Sequence, residues 1–499
     1  MSMLISFQHK HPLIKKYWGL SETSFTSITY DSRKVEPGTA FFCIIGTKTD
    51  GHRYINQACR SGASIIIGTD TVLLEKAVQL FPGTTFVQVT DAKSFMSYLS
   101  IVLYDHADEK VKTIAVTGTN GKTTVSSFVR NLLLKSGIPT GLIGTNGVWD
   151  DRIRRNFNHT THTTPEAPDL QYIFHRFYKE GLQAVSLEVT SIAIEQKRVA
   201  GVIFDVGIHT NLTPEHLDFH GSYDAYKQSK LKLFRQVKKA VVNADDGEMG
   251  RDIKAMFKGP LLTYGIYTKG DVFAENMETT SAGTAMDLTI LGKRFPVLVP
   301  IFGDYNISNF LASLCACLHL SIPIPILLEG LQTLSLPEGR FQIEDKLSNY
   351  KIIMDFAHSP DALDKVITAA KQLDHKKLIV LVTGAGGGDP AQWPKMGETV
   401  EGKADHIVVS VDHPDQLDRR DIVSGVLNGF QDPIHPSVNT ALDREKGVHK
   451  ALSFADKGDI VLLTGIGFVG HQFVNGREVP YSETETLQRY FNENELLPE

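Results

Sequence analysis

Short apolar runs bounded by Gly, Pro and Asp alternate with segments of helical periodicity along the whole chain, the signature of an α/β protein. In the first hundred residues the strands read at Ile28–Tyr30, Ala40–Ile45, Ile65–Gly68 and Thr85–Val89, with helices between them. A charged, weakly apolar stretch at Asp105–Val111 then closes a small α/β domain over 1–108. A larger α/β unit follows over 109–335 and includes the helical run Asn309–His319 and the segment Pro325–Thr333. It ends at Leu336-Pro337-Glu338-Gly339-Arg340, a Pro/Gly break that reads as a hinge. Beyond it, over 336–499, the strands Lys351–Met354, Leu378–Val382, His406–Val409 and Ile460–Leu463 alternate with helices, the pattern of a doubly wound parallel sheet. No internal repeat or low-complexity segment stands out.

Length agrees with this division, since 499 residues exceed one core and suggest about three domains at ~150 residues each. Fifty-one Lys and Arg against 57 Asp and Glu give a formal charge of -6, with no long basic run, which argues against a nucleic-acid partner and for small molecules. Four cysteines, at 43, 59, 315 and 317, read as reduced, buried core thiols; the last two diverge in a helical stretch and cannot share a metal. His9 and Lys10 interrupt the N-terminal apolar residues too early for a secretion signal, and no apolar run is long enough to insert in a membrane. A cytoplasmic enzyme is expected.

The chemistry begins at Thr113–Thr124, where an apolar strand runs into Gly118-Thr119-Asn120-Gly121-Lys122-Thr123-Thr124 and then into a helix from Val125 to Leu134. Such a P-loop leaves backbone N–H groups free around phosphate oxygens. Its lysine sets a charge on the β- and γ-phosphates and its threonine hydroxyl can ligate Mg2+, so ATP is expected as cosubstrate. The strand Val185–Val189 carries a lone carboxylate, Glu188, and the segment Thr210–Asp218 carries His216; both could face the loop as Mg2+ ligands. A solvated strand end and an ordinary helix start are equally open for them. Lys230 shares a helical face with Tyr226, Leu233, Phe234 and Val237, so it points inward or snorkels out. Inward, a desolvated amine can act as a nucleophile or take up CO2 as a carbamate.

Taken together these segments resemble the Mur ligases over nearly the whole chain, and among them the UDP-N-acetylmuramoyl tripeptide synthetases. The resemblance rests on Tyr30–Gly38 and Gly46–His52, similar to that type's uridine-nucleotide-binding domain, and on the short phosphate loop Thr119-Asn120-Gly121-Lys122-Thr123 of a central P-loop ATPase domain with a mostly parallel sheet. It rests also on Thr163-Thr164-Pro165-Glu166, Gly303–Asn309 and Asp355–Pro360. It implies that Ser32, Thr163, Thr164, Thr190 and Arg198 bind the UDP-sugar-peptide, Arg198 meeting the D-Glu carboxylate. It further implies that Asn306, Asn309, Arg340, Asp355, Ala357 and His358 contact ATP, the last four from a Rossmann-like C-terminal domain. Thr123, Glu188, His216 and a carbamylated Lys230 would hold Mg2+, and with Lys122 they form the expected catalytic set. The implied reaction phosphorylates the D-Glu carboxylate of UDP-N-acetylmuramoyl-L-alanyl-D-glutamate, and an amino acid then attacks the acyl phosphate. The resemblance leaves the oligomeric state open, with a monomer expected.

Departures from that family concentrate where the incoming amino acid would bind. Its Asp-Asn-Pro-Arg, in which the Arg holds the distal carboxylate of diaminopimelate, is here Asp412-His413-Pro414-Asp415. Asp415 would repel that carboxylate and attract an ammonium, or simply be solvated. Its Gly-Lys-Gly-His-Glu is here Gly465-Ile466-Gly467-Phe468-Val469, and Pro390–Trp393 replace its Arg-Asp and Lys-Arg pairs. Ile192 and Glu215 replace a His and an Asp. The expectation is a ligase adding an amino acid other than diaminopimelate. The alternatives are a paralogue using another amine or acyl donor, and a nucleotide-binding protein that no longer ligates.

Overall fold

Strands buried on both faces organise each part of the chain. The computed structural model describes residues 2–7, 11–46, 49–157, 161, 163–344, 347–386, 389–467 and 470–495. In the N-terminal part the strands Ile14–Trp18, Ser27–Thr29, Thr39–Phe42, Ile65–Gly68 and Thr85–Val89 form one five-stranded sheet. Its Ile14–Trp18 edge is antiparallel and the rest parallel. Met3–Ser6 and Glu22–Phe25 pair separately and, like Ile14–Trp18, lie outside the strands expected from the sequence, because their alternation is too short to read. The helices Thr71–Leu80 and Ala92–Leu103 start where Asp70 and Asp91 accept hydrogen bonds from the free N–H groups of the first turn.

Eleven strands form the central sheet, and the six pairings from Thr140–Gly144 through to Val272–Thr280 are parallel. Lys112–Thr117 lies in its middle, between Ala184–Glu188 and Phe204–His209. Three strand ends therefore open side by side at one edge of the sheet and deliver the phosphate loop, Glu188 and the segment from Thr210 onward, the place where open parallel sheets bind ligands. The helix Lys122–Lys135 covers one face and packs on Asp304–His319. An antiparallel meander, Val272–Thr280, Gly283–Ile290 and Lys293–Val299, extends the far edge.

The C-terminal sheet holds six strands, Lys351–Asp355, Ile460–Thr464, Leu378–Gly384, His406–Val411 and Val438–Thr440 being parallel, with Gln342–Glu344 antiparallel at one edge. Every residue of Leu378–Gly384 and Ile460–Thr464 is buried, and each large aliphatic side chain so placed contributes on the order of 1.5–3 kcal/mol. Between this sheet and the central one, residues 334–341 form neither strand nor helix, and Arg340 N–H closes a turn on the Pro337 carbonyl at 3.1 Å. The expected division at 335/336 lies in this irregular segment, whereas that at 108/109 lies inside the short helix Ala107–Lys110, just before the strand Lys112–Thr117. Among the described residues no helix is long and apolar enough to cross a membrane.

Two expectations need correcting. The helix bearing Lys230 stops at Leu231, Lys232–Arg235 tighten into a 3₁₀ turn, and Val237 opens a strand, so the inward face was right for Tyr226, Leu233 and Phe234 but not as one helix through Val237. Cys59 is half-buried rather than buried, while Cys43, Cys315 and Cys317 are buried, and all four are free thiols.

Candidate functional site

The helix Lys122–Lys135 begins at Gly121, whose φ of +87° admits glycine without strain. A Cβ there would lie 2.3 Å from Asn309 Oδ1, so Asn309 sits directly on the phosphate loop. The loop is fixed from outside as well. Asn120 N–H donates to Asn211 Oδ1 at 3.0 Å, Thr210 Oγ1 donates to the Asn120 carbonyl at 2.6 Å, and Thr119 Oγ1 lies 3.1 Å from Tyr226 Oη.

Two lysines converge on one acceptor. Lys122 Nζ donates to the carbonyls of Gly118 (2.9 Å) and Thr119 (2.7 Å), and Lys230 Nζ donates to that of Gly118 at 2.7 Å. Lys230 is 1% exposed and lies 4.5 Å over the Tyr226 ring, so it does not snorkel. Burial, helped by the Lys122 charge, pushes its pKa well below the ordinary lysine value. Burial also lowers that of Lys122, against the opposite pull of Glu215 and Glu188. Among the described residues no carboxylate lies within ion-pair distance of Lys230 Nζ.

Glu188 is likewise buried, not solvated, at 1% exposure. Its carboxylate accepts from Thr123 Oγ1 (3.1 Å), Thr145 N (2.9 Å) and Thr145 Oγ1 (3.0 Å). Thr145 Oγ1 in turn meets Thr163 Oγ1 at 3.0 Å, and Thr164 Oγ1 donates to the Glu188 carbonyl at 2.8 Å and accepts from Thr190 N–H at 3.2 Å. Arg198 donates to the Thr164 carbonyl at 3.1 Å and pairs with Glu166 at 2.7 Å. Phosphate loop, Glu188, Thr163, Thr164, Thr190 and Arg198 thus form one continuous network. His216 stands at its margin, at φ +55° before the short helix Leu217–His220, with its Nε2 3.7 Å from Glu215 and its ring 6.2 Å from that of Tyr226. Ser32 is buried in the N-terminal domain and donates to Gln57 Oε1 at 3.0 Å, apart from this network.

The C-terminal domain faces the loop across a cavity of about 520 Å³ lined by Asn120, Gly121, Thr124, Asn309, Arg340, Asp355, Ala357 and His358. Arg340 Nη2 reaches Thr123 Oγ1 at 3.4 Å, and its guanidinium stacks on Phe356 at 4.7 Å. Asn120 Nδ2 donates to Asp361 Oδ2 at 3.2 Å, and His358 Nε2 lies 3.5 Å from Glu215 Oε1. Asp355 is committed to backbone, accepting from Phe341 N–H and Ala357 N–H at 2.8 Å each. Asn306 donates to the Phe302 carbonyl at 2.9 Å and leaves its buried Oδ1 without a partner.

Asp412, Gly465 and Gly467 lie at the same edge of the C-terminal sheet, but Asp412 points inward, its oxygens taken by Thr383 Oγ1 (2.6 Å) and Arg444 (2.9 Å). Burial pushes its carboxyl up to about 6 in spite of Arg444. His413 Nδ1 accepts from Phe473 N–H at 3.1 Å, and burial holds the imidazole down to about 4. Asp415, at φ +50°, accepts from Gly476 N–H at 3.0 Å, which ties it to the hairpin His471–Val474/Arg477–Pro480. Thr47, Lys48, Gly387, Gly388, Phe468 and Val469 lie outside the described residues.

Sequence reasoning missed Thr145, Asn211 as a loop anchor, and Arg444. The strand-ending Gly144-Thr145-Asn146-Gly147 was a usable signal for Thr145. Arg444 opens a polar helix and carries no local signal of burial.

A cavity between a P-loop domain and a Rossmann-like domain is the architecture that comparison with known proteins places by family. Residues 24–94 match the Mur ligase family catalytic domain, 116–317 the Mur ligase middle domain, and 339–467 the Mur ligase glutamate ligase domain. The chain is 34% identical over 471 residues to UDP-N-acetylmuramoyl-L-alanyl-D-glutamate–2,6-diaminopimelate ligase 1 of Clostridium acetobutylicum, covering 94% of this chain and 95% of that one. To the corresponding ligase of Clostridioides difficile it is 35% identical over 452 residues, covering 90% and 91%. A solved structure of such a ligase superposes with a TM-score of 0.69 at 26% identity, covering 99% of this chain and all of the other. The chain belongs to the Mur ligase family.

Proposed function

We propose that this protein is an ATP-dependent, ADP-forming ligase that joins an amino acid to the D-Glu carboxylate of UDP-N-acetylmuramoyl-L-alanyl-D-glutamate in peptidoglycan precursor synthesis, acting as a monomer in the cytoplasm. The observation that carries the reading is the unbroken chain of contacts from Lys122 and Thr123 through Glu188 and Thr145 to Thr164 and Arg198. It sets a phosphate-binding lysine and a carboxylate-binding arginine at the two ends of one site, as transfer of a phosphoryl group to a carboxylate requires.

In this mechanism Lys122 neutralises the γ-phosphoryl group as it passes to a D-Glu carboxylate oxygen, with ADP leaving, and Arg198 exchanges Glu166 for the donor's carboxylate. Arg340, brought from the C-terminal domain by hinge closure, meets the phosphates beside Thr123 and helps exclude water from the acyl phosphate. The acceptor amine then attacks the acyl carbon, and collapse of the tetrahedral adduct expels inorganic phosphate. Mg2+ fits the hard-oxygen set of the Thr123 hydroxyl and the Glu188 carboxylate, which already lie 3.1 Å apart, and would supply charge neutralisation there. A buried Lys230 without a counter-ion fits conversion to a carbamate, with His216 at the rim as a further ligand.

The acceptor segment is where this chain departs from the family pattern described above, and Asp415 in place of an arginine favours a basic side chain over the distal carboxylate of diaminopimelate. The same loop supports a second reading, a paralogue that ligates a different amine. The deciding experiment is ATP-dependent phosphate release with the muramoyl dipeptide and a panel of lysine, ornithine, diaminopimelate and neutral amino acids, with products identified by mass. One ligated product is expected. Nucleotide binding with no product from any amine would overturn the assignment in favour of another substrate or a non-ligating protein.

A further inference from the structure

Arg444 takes no part in the mechanism above, yet it is a fully buried arginine, 1% exposed, at the start of the helix Arg444–Leu452. All three of its guanidinium nitrogens donate. Nη1 donates to Asp412 Oδ1 at 2.9 Å and to the Thr464 carbonyl at 2.6 Å, while Nε and Nη2 grip the two oxygens of Glu483 at 3.2 and 2.6 Å. These partners have a common position in the chain. Asp412 is the first residue beyond the strand His406–Val411, Thr464 is the last residue of Ile460–Thr464, and Glu483 is the first of the helix Glu483–Glu495. The two strand ends touch one another there as well. Gly465 has φ +109°, and a Cβ on it would lie 1.9 Å from Asp412 Oδ2, which Thr383 Oγ1 already occupies.

A buried ionic cluster of two carboxylates and one guanidinium is weak evidence for stability, since an apolar cluster of the same volume commonly serves as well. It does fix geometry, because a planar fork with five donors admits few arrangements of three partners. We infer that Arg444 is a positioning residue for the acceptor amine: one buried guanidinium sets where the loops after Val411 and Thr464 leave the sheet and turns Asp412 away from the acceptor. The inference rests on the ligase reading above, which assigns both loops to the acceptor. Side-chain selectivity then falls on His413 and Asp415, and not on Asp412.

Arg444→Lys tests this, because an ammonium can hold one partner but not the fork. The acyl phosphate made from donor and ATP can be trapped with hydroxylamine, a nucleophile too small to need the acceptor pocket. Expected for the variant are hydroxamate formation and KM for ATP within about twofold of the parent and KM for the acceptor raised about tenfold or more, with kcat much less changed. Parallel loss of hydroxamate formation and ligation would mark Arg444 as merely structural and overturn the inference. Amide exchange needs no substrate, so it separates this inference from the substrate assignment. Exchange should quicken in 412–415 and 464–467 and stay unchanged in 118–124, and unchanged exchange in both acceptor loops would overturn the inference even if the muramoyl dipeptide proves not to be the donor. If Arg444→Lys does not fold, Glu483→Gln, which keeps the shape and one acceptor oxygen, is read by the same measurements with the same outcomes.

Discussion

Lys122 and Lys230 share the Gly118 carbonyl oxygen, and two ammonium groups on one acceptor in a buried place repel each other. Among the described residues neither ammonium has a carboxylate within ion-pair distance, and burial pushes Lys230 the further below the ordinary lysine value, so the carbamate proposed above falls to Lys230. Lys230→Ala is expected to lower kcat by about 10²-fold or more, the scale of a lost electrostatic stabiliser. Millimolar short-chain carboxylates should restore part of it, and parental activity in the variant would end the carbamate assignment. Gly121 illustrates the opposite constraint, that of space. In Gly121→Ala the new methyl meets Asn309 Oδ1 at 2.3 Å and the backbone keeps φ +87°, a strain of about 1–3 kcal/mol. Its melting temperature should fall and the rise in that temperature on adding ATP should shrink, whereas Asn309→Ala in the same chain should relieve the contact but not the backbone strain.

Among the elements, the hairpin His471–Val474/Arg477–Pro480 depends on two loop residues across from it. His413 Nδ1 accepts from Phe473 N–H, Asp415 N–H donates to the Phe473 carbonyl at 2.9 Å, and the Asp415 carboxylate accepts from Gly476 N–H. An imidazole can accept through Nδ1 only while that nitrogen carries no proton. Burial depresses the His413 pKa to about 4, against an ordinary 6.5, so the folded state binds fewer protons than the unfolded one between those values. The docking contribution is therefore complete above pH 6.5 and is lost as the pH falls through about 4. Amide exchange at Phe473, corrected for its intrinsic pH dependence, should become faster over that window. His413→Phe should abolish the pH dependence, and an unchanged profile in the variant would assign it to another group. The short helix Tyr223–Leu231 presents Lys230 on its buried face with Tyr226, and from there Lys230 Nζ reaches the Gly118 carbonyl.

Across the whole molecule, the site is completed by contacts between the central and C-terminal parts: Arg340 to Thr123, Asn120 to Asp361, and His358 to Glu215. All three lie on the far side of the Pro337–Gly339 turn from one of their partners, so opening at that turn would break them together. Arg340→Ala removes a charge-assisted contact worth about 1.5–3 kcal/mol, and KM for ATP should rise about tenfold or more. Small-angle scattering with ATP bound should give a larger radius of gyration for the variant than for the parent. Equal radii with a raised KM would limit Arg340 to local binding of phosphate.

Strand, loop and helix at Lys112–Lys135 could be read directly from the chain, because a P-loop is local: apolar run, glycines, lysine and threonine are contiguous, and the loop's N–H groups, the lysine ammonium and the threonine hydroxyl all come from one short segment. The α/β class and the three-part division followed from periodicity for the same reason. The fate of single polar side chains did not. Glu188 is buried because Thr123 and Thr145, 65 and 43 residues away, supply its hydrogen bonds. Asp412 faces inward because Arg444 and Thr383 do the same for it at separations of 32 and 29. Residue type and local spacing carry the energetics of turns, caps and apolar faces. Whether a charge is solvated, paired or buried depends on partners that only the packing of distant segments brings within 3 Å.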